Sequence, residues 1–373
     1  MEMNAVKNYT QLLAEYAERK ESANEEPQNS LVKFIGIGEG KDAYNPSGPF
    51  SRDGKTYQWA RVESREQQDA VTMLFEETGA NEFTLVPDSP ILPMEDPFIS
   101  FVGEEMLVGG VEISKDENGM VISYRTIFYR GASFDTLTLF ALGPDGMKDI
   151  RICDLGNVGD RSHVFVFTRP HIPLHGRFIG RIAVTTLTSL DEIHTDRLAV
   201  ERTEVLSDLF ADAEWGGVND AYVLGDGLIG ALCHIAKYDE EGKRHYAAAA
   251  FVIDTATMNH SPLEIIATRA DFPDGPIKIM PDNLGNPEMY DDLADVIFSS
   301  RLTIPPTPLP HSVGVSESSN SNFAASSNPN SAAKSDDISS APILQLTCGL
   351  SDAAVGVCII SNPFLRLIKA LKS

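Results

Sequence analysis

Between residues 31 and 298 the apolar positions come in short runs rich in Val, Ile and Phe, broken every few residues by Gly, Asp, Asn and Pro. Runs this short, bounded by turn residues, predict strands. Helical spacing is confined to the start, where Val6, Tyr9, Leu12, Leu13, Tyr16 and Ala17 predict one amphipathic helix over 4–20, ahead of the polar stretch ESANEEPQN. From 305 to 342 the chain is rich in Ser, Asn, Ala and Pro and could not bury enough surface to offset the entropy of ordering it, so a disordered insertion is expected there. Strand-like composition resumes in ILQLTCGLSDAAVGVCIISNPF and gives way to a basic tail, LRLIKALKS. The expected divisions are a helix and linker over 1–27, a strand-rich body over 28–304, the insertion over 305–342, and closing strands with the tail over 343–373.

An internal repeat suggests how that body is built. An acidic residue opens a short strand, a Gly turn follows, and a second apolar strand comes next; copies begin at Asp42, Asp96, Asp149, Asp220 and Asp295, the last completed beyond the insertion by LQLTCGLSD. Intervals of roughly fifty to seventy-five residues leave room for about four strands per copy, the size of one propeller blade. The expected fold is therefore all-β, a five-bladed β-propeller. In such a fold the innermost strands line one axis, so these acidic residues would ring a shared funnel. The plainer reading is that some of them close turns. Asp96 stands apart, because Pro97 is expected to fix it at the start of its strand.

Charge and cysteine usage narrow the partners. With 54 acidic against 30 basic residues, a net charge of -24, the chain is poorly suited to a polyphosphate backbone, so nucleic acid is not an expected partner. No apolar run reaches the roughly 18 residues of a membrane span, and the first twenty residues lack the basic and apolar regions of a secretory leader. Cys153, Cys233, Cys348 and Cys358 form no CxxC pair or regular framework, which fits buried, reduced thiols in a cytoplasmic protein.

Other chemistry is sparse. His171 and His175 stand four apart, but Pro170 and Pro173 deny them a helix, so they are expected in a loop with no metal between them. There is no HExxH, Walker or GxSxG pattern, and GIGEG at Gly36 to Gly40 is too short for a dinucleotide fingerprint. No metal or organic cofactor is expected. Trp59 and Trp215 could each stack on a sugar face, although packing is the commoner use of a blade tryptophan. Arg61 and Glu63 alternate about Val62, so both point the same way and could simply pair with each other.

The segments AYNPSGPF, ARVE at Ala60 to Glu63, EDPFISF, VFTRP at Val166 to Pro170, GRIAVTTLTSLDEI, TRADFPDGPIK, ADVIF and GLSDA together resemble domain-of-unknown-function family 1861, from Gly36 to Phe364 apart from the insertion. At superfamily distance they resemble glycoside hydrolase family 130, the five-bladed mannoside phosphorylases and β-mannosidases. The resemblance implies that Asp96 protonates the glycosidic oxygen, that Asn45, Arg61 and Asp352 hold the sugar where the bond breaks, and that Arg169, His234 and Arg151 meet inorganic phosphate. The chain departs from the related enzymes' Tyr-His-Gly by reading Cys233, His234, Ile235.

Cleaving a glycoside needs a proton on the leaving oxygen and a nucleophile on the opposite face of an oxocarbenium-like transition state. Crowded carboxylates would raise the pKa of one member, expected to be Asp96, while Glu63, Asp149, Asp220 and Asp352 join Asn45 and Arg61 around the sugar. Arg151, Arg169 and His234 would hold a phosphate co-substrate beside those carboxylates. Arg169 could equally form a structural ion pair, and His234 could be a satisfied core histidine. The expected activity is cleavage of a short oligosaccharide or other glycoside by hydrolysis or phosphorolysis; the alternative is a propeller that binds sugar or protein without turnover.

Overall fold

The computed structural model describes residues 6–23, 28–65, 69–118, 120–158, 161–174, 177–278, 280–281, 290–291, 293–305 and 335–372. The fold is all-β, and among the described residues the α-helices lie at its margins. The strands gather in four-stranded antiparallel groups, each a meander in which successive strands pair. Group I comprises Lys41–Tyr44, Lys55–Ser64, Val71–Gly79 and Glu82–Leu85, and group II comprises Glu95–Val102, Glu105–Lys115, Val121–Gly131 and Thr138–Leu142. Group III is Arg151–Val158, Arg161–Thr168, Ala183–Leu187 and Glu204–Val205; group IV is Trp215–Gly225, Leu228–Tyr238, Arg244–Asp254 and Glu264–Ala267. Group V takes Ile297–Thr303, Ile343–Leu350 and Ala354–Ser361 from the C-terminal part and closes with the N-terminal strand Asn29–Ile35. That strand also pairs in parallel with Glu82–Leu85, joining groups I and V.

Packing follows the same order. Buried apolar side chains of I meet those of II around Trp59, Leu74, Met94 and Val108. Those of II meet III around Leu107, Phe128 and Val164. The III/IV layer holds Phe165, Phe167, Cys233 and Phe251, and the IV/V layer holds Val252, Ile297, Leu346 and Phe364. Trp59 is wholly enclosed in its layer, so its ring is packing. All four cysteines are buried free thiols.

The helices cover sheet faces. The N-terminal helix runs Tyr9–Ala23, a little later than its spacing predicted, and seats Tyr9 and Leu12 in the III/IV layer. The basic tail is a helix, Phe364–Lys372, whose Phe364 and Leu367 enter the IV/V layer. Most of the expected disordered insertion lies outside the described residues. Its end, Ser335–Ser340, is helical, with Ile338 buried and the Asn362 amide donating to the carbonyls of Ile338 and Ala341. His171 sits not in a loop but at the start of a two-stranded hairpin, His171–Leu174 with Arg177–Gly180, outside the four-stranded groups. His175 lies outside the described residues.

The repeat's acidic residues divide in the structure. Asp220 does not open its strand but sits at an irregularity inside Trp215–Gly225. Asp42 is held by Arg65, and Asp295 by His245 at 2.6 Å.

Candidate active site

Two clusters meet near the starts of the first strands. The first gathers on Asp96. Here the register of Glu95–Val102 against its partner slips between Glu95 and Phe98, so Asp96 bulges and takes a left-handed backbone, φ 49°. Asp96 lies at the strand entry as expected; a following Pro disfavours helical backbone but the bulge sets the conformation, and Asp is among the few residues that tolerate it. The bulge fits because residue 110 is Gly: a β-carbon there would stand 2.6 Å from the Glu95 carbonyl oxygen. Asn45, before Pro46, is also left-handed, as are Ser351 and Asp352 in the hairpin loop of group V.

Asp96 Oδ1 accepts from Asn45 Nδ2 at 2.9 Å and from Arg61 Nη1 at 3.2 Å. Two donors on Oδ1 leave Oδ2 as the oxygen able to carry a proton. Arg61 also reaches Glu95 at 3.3 Å and Glu63 at 3.0 Å, so one guanidinium joins three carboxylates. Pairing with Glu63 is therefore real, but only one part of what Arg61 does. Glu63, wholly buried, accepts in addition from Tyr44 Oη and Lys278 Nζ. Asp352 lies 3.5 Å from the Asn45 amide. Burial, with the nearby Asp96 charge, pushes the carboxyls of Glu95 and Asp352 above the ordinary range. Burial works against the Arg61 charge, yet the surrounding anions hold it firmly protonated.

The second cluster is cationic. Arg169 Nη1 donates to Asp149 Oδ2 at 2.9 Å, with both side chains buried. Burial would raise the Asp149 pKa, but Arg169, with His234, Lys148 and Arg151 nearby, holds it at about 2. Glycines make room for this pair: a β-carbon on Gly217 would meet Asp149 Oδ2 at 2.6 Å, and one on Gly180 would meet Arg169 Nε at the same distance. Arg169 Nε and Asn45 Oδ1 are buried without a hydrogen-bond partner among the described residues, a pattern that calls for a bound group or solvent to complete it.

His234 is buried, and its Nδ1 lies 2.8 Å from Asn219 Oδ1. The Asn219 amide nitrogen donates to the Ser299 carbonyl at 2.6 Å, which turns Oδ1 toward the ring and places the imidazole proton on Nδ1. Burial lowers the His234 pKa to about 3, so it is a neutral side chain stacked on Tyr246, with ring centroids 5.4 Å apart. Arg151 is turned inward: Nε donates to the Asn219 carbonyl at 2.7 Å, and the guanidinium lies over the Phe98 ring. Asp220 accepts from Tyr222 Oη at 2.6 Å and pairs with Arg301 at 3.3 Å, and Arg151 lies within electrostatic reach of both Asp220 and Asp96.

A cavity of about 580 Å³ opens over the second cluster, lined by Lys148, Arg169 and Arg244 together with the aromatic residues Tyr124, Trp215 and Tyr246. Of the residues expected at phosphate, Arg169 lines this cavity; Arg151 and His234 lie behind it. Lys148 and Arg244 also line it and were not expected at the site, although Arg244 lies inside the family-like segment LCHIAKYDEEGKRHYAAAAFVID. Glu95 and Lys278 were likewise missed as site residues, although both lie inside the segments EDPFISF and TRADFPDGPIK. The arrangement sets a cavity lined by cationic side chains beside a cluster of buried carboxyl groups.

Over residues 18–319 the sequence matches a family of proteins of unknown function, DUF1861. The chain belongs to the DUF1861 family. None of the curated protein sequences matches this DUF1861 chain, but solved structures do. The mannose phosphorylase MPT-4 of Leishmania mexicana, in complex with phosphate ion, is 28% identical, with 95% of this chain and 94% of that one covered at a TM-score of 0.73. The GDP-Man-dependent mannosyltransferase MPT-1 of the same organism is 26% identical, with 94% and 95% covered at a TM-score of 0.70. A β-1,2-mannobiose phosphorylase from Listeria innocua shares the fold at 12% identity, with 90% and 94% covered and a TM-score of 0.51.

Proposed function

We propose that the protein is a carbohydrate-active enzyme, a phosphorylase of short mannosides, built as a five-bladed propeller. Groups I to V are its blades, and the N-terminal strand in group V closes the ring, a common device for joining the ends of a closed β architecture. The observation that carries the functional reading is that Lys148 and Arg244, which line the cavity with Arg169, lie close enough to act electrostatically on Glu95 and Asp352 of the Asp96 cluster. The similarity to a mannose phosphorylase with bound phosphate supports the choice of sugar and nucleophile.

In the proposed reaction Asp96 gives its Oδ2 proton to the glycosidic oxygen as the bond from that oxygen to the anomeric carbon breaks. A phosphate oxygen forms the new bond to the same carbon, yielding a sugar 1-phosphate and the shortened sugar. Asn45 and Arg61 hold the other carboxylate oxygen, and Arg61, Asn45 and Asp352 position the ring. Arg169, Lys148 and Arg244 offset the phosphate charge beside the carboxylates. Neutral His234 serves through Tyr246, which it backs.

Purified protein incubated with manno-, gluco- and galacto-configured disaccharides, with and without inorganic phosphate, tests this. Release of a sugar 1-phosphate only when phosphate is added, abolished in Asp96→Asn, supports it. Phosphate-independent release would make the protein a hydrolase. Transfer from GDP-mannose with no phosphorolysis would place it with the mannosyltransferase, and binding without turnover would make it a lectin-like propeller.

A further inference from the structure

We infer that Phe178 is a platform for a sugar ring beyond the pair whose bond is broken, so that the site prefers substrates longer than a disaccharide. This rests on the mannoside reading above and adds to it a length preference and the residue that sets it.

Phe178 belongs to the hairpin that stands outside the four-stranded groups. The base of that hairpin is tied down: Arg181 N donates to the Pro170 carbonyl at 3.0 Å, and His171 Nδ1 reaches the Gly146 carbonyl at 3.1 Å, in the loop that carries Lys148 and Asp149. At the other strand, Gly180 abuts the Arg169 guanidinium. The hairpin root is thus part of the anion-binding floor, while Phe178, in the strand Arg177–Gly180, is exposed. At 76% exposure it is the most exposed large apolar side chain among the described residues.

A single exposed Phe on a flat surface needs no explanation. This one lines the same cavity as Arg169 and Lys148, and Trp215 and Tyr238 line it too, their rings 4.9 Å apart. The volume, about 580 Å³, is that of a small-molecule site and too confined for a folded partner. A wholly apolar ligand would leave the cations of the floor desolvated and unpaired. A pyranose suits both requirements, since its C–H face stacks on an aromatic ring while its rim of hydroxyls bonds to tyrosine and charged groups.

Calorimetric titration of mannobiose, mannotriose and mannotetraose into the protein, Phe178→Ala and Phe178→Trp, in phosphate-free buffer, tests the inference. In the unaltered protein the third ring should tighten binding about ten-fold, a gain lost in Phe178→Ala and restored in Phe178→Trp, with mannobiose affinity unchanged throughout. Equal weakening for all lengths, no effect of the alanine variant at any length, or no binding of the series by the unaltered protein would overturn it. So would a Phe178→Ala variant that loses affinity for GDP while keeping the length preference. Protein that binds the series as expected but turns none over with phosphate sinks the phosphorylase reading and leaves the platform standing; turnover of mannobiose without length dependence sinks the platform alone.

Discussion

Asn45 and Gly349 share one volume: a β-carbon on Gly349 would stand 1.8 Å from Asn45 Oδ1. The absence of a side chain on a strand of group V thereby seats an amide from group I against Asp96. Gly349→Ala should displace Asn45 and lower turnover of the preferred glycoside by ten-fold or more, while circular dichroism stays that of the folded protein. Full activity in that variant would show that Asn45 can move without consequence.

Glu63 is the buried centre to which Arg61, Lys278 and Tyr44 all donate. Removing one partner from a buried charge network typically costs about 3–5 kcal/mol, because the remaining charges stay desolvated. Glu63→Ala should therefore lower the unfolding free energy by about 3 kcal/mol in urea titration, and Glu63→Gln by less. A loss below about 1 kcal/mol in the alanine variant would mean that solvent reaches Arg61 and Lys278.

His234 and Asp149 make the fold acid-sensitive in the same direction. Both have folded pKa values depressed, His234 to about 3 and Asp149 to about 2, so each contributes stability that is complete above its unfolded pKa and declines as pH falls toward the folded value. The His234 window runs from about 6.5 down to about 3, and the Asp149 window begins near 4. Urea midpoints should fall between pH 7 and pH 4.5 in the unaltered protein, and less steeply in His234→Gln. Equal slopes in the two proteins would mean that the folded state lets this imidazole charge.

His245 acts in the opposite sense. Its Nδ1 lies 2.6 Å from Asp295 and its Nε2 3.0 Å from Asp239. Burial opposes the imidazolium, yet the two carboxylates prevail and raise its pKa. Stability from this clasp is fully present below about 6.5 and is lost as pH rises through the raised folded value. Unfolding midpoints compared at pH 6 and pH 9 should show an alkaline decline in the unaltered protein that His245→Gln reduces; an unchanged decline would assign it to other groups.

The chain's alternation of short apolar runs and turn residues made the all-β class, the N-terminal helix and the return of strands after residue 342 legible, because strand burial imposes a local period on the sequence. The meeting of Asp96, Asn45 and Arg61, expected from family-like segments, is found as direct hydrogen bonds. The Arg61–Glu63 pair could be read from residue spacing alone. Several features were not legible. Asp96 takes a left-handed backbone at a bulge although a Pro follows it, and Asp220 lies inside its strand, bonded to Tyr222 and paired with Arg301. The tail that reads as merely basic is a packed helix, since Phe364 and Leu367 find their partners in groups IV and V.

What the sequence by itself determined is therefore the inventory: strands, turns, acidic residues near strand starts, and arginines at the ends of apolar runs. Only the tertiary structure decided which of these meet. Lys278 reaches Glu63 across more than two hundred residues, Gly349 makes space for Asn45 from the far end of the chain, and Lys148, Arg169 and Arg244 converge on one cavity from separate strands and loops. Such convergence depends on how sheets stack and on where missing side chains leave room. No local pattern of residues encodes either, because a contact between distant segments leaves each of them locally unmarked.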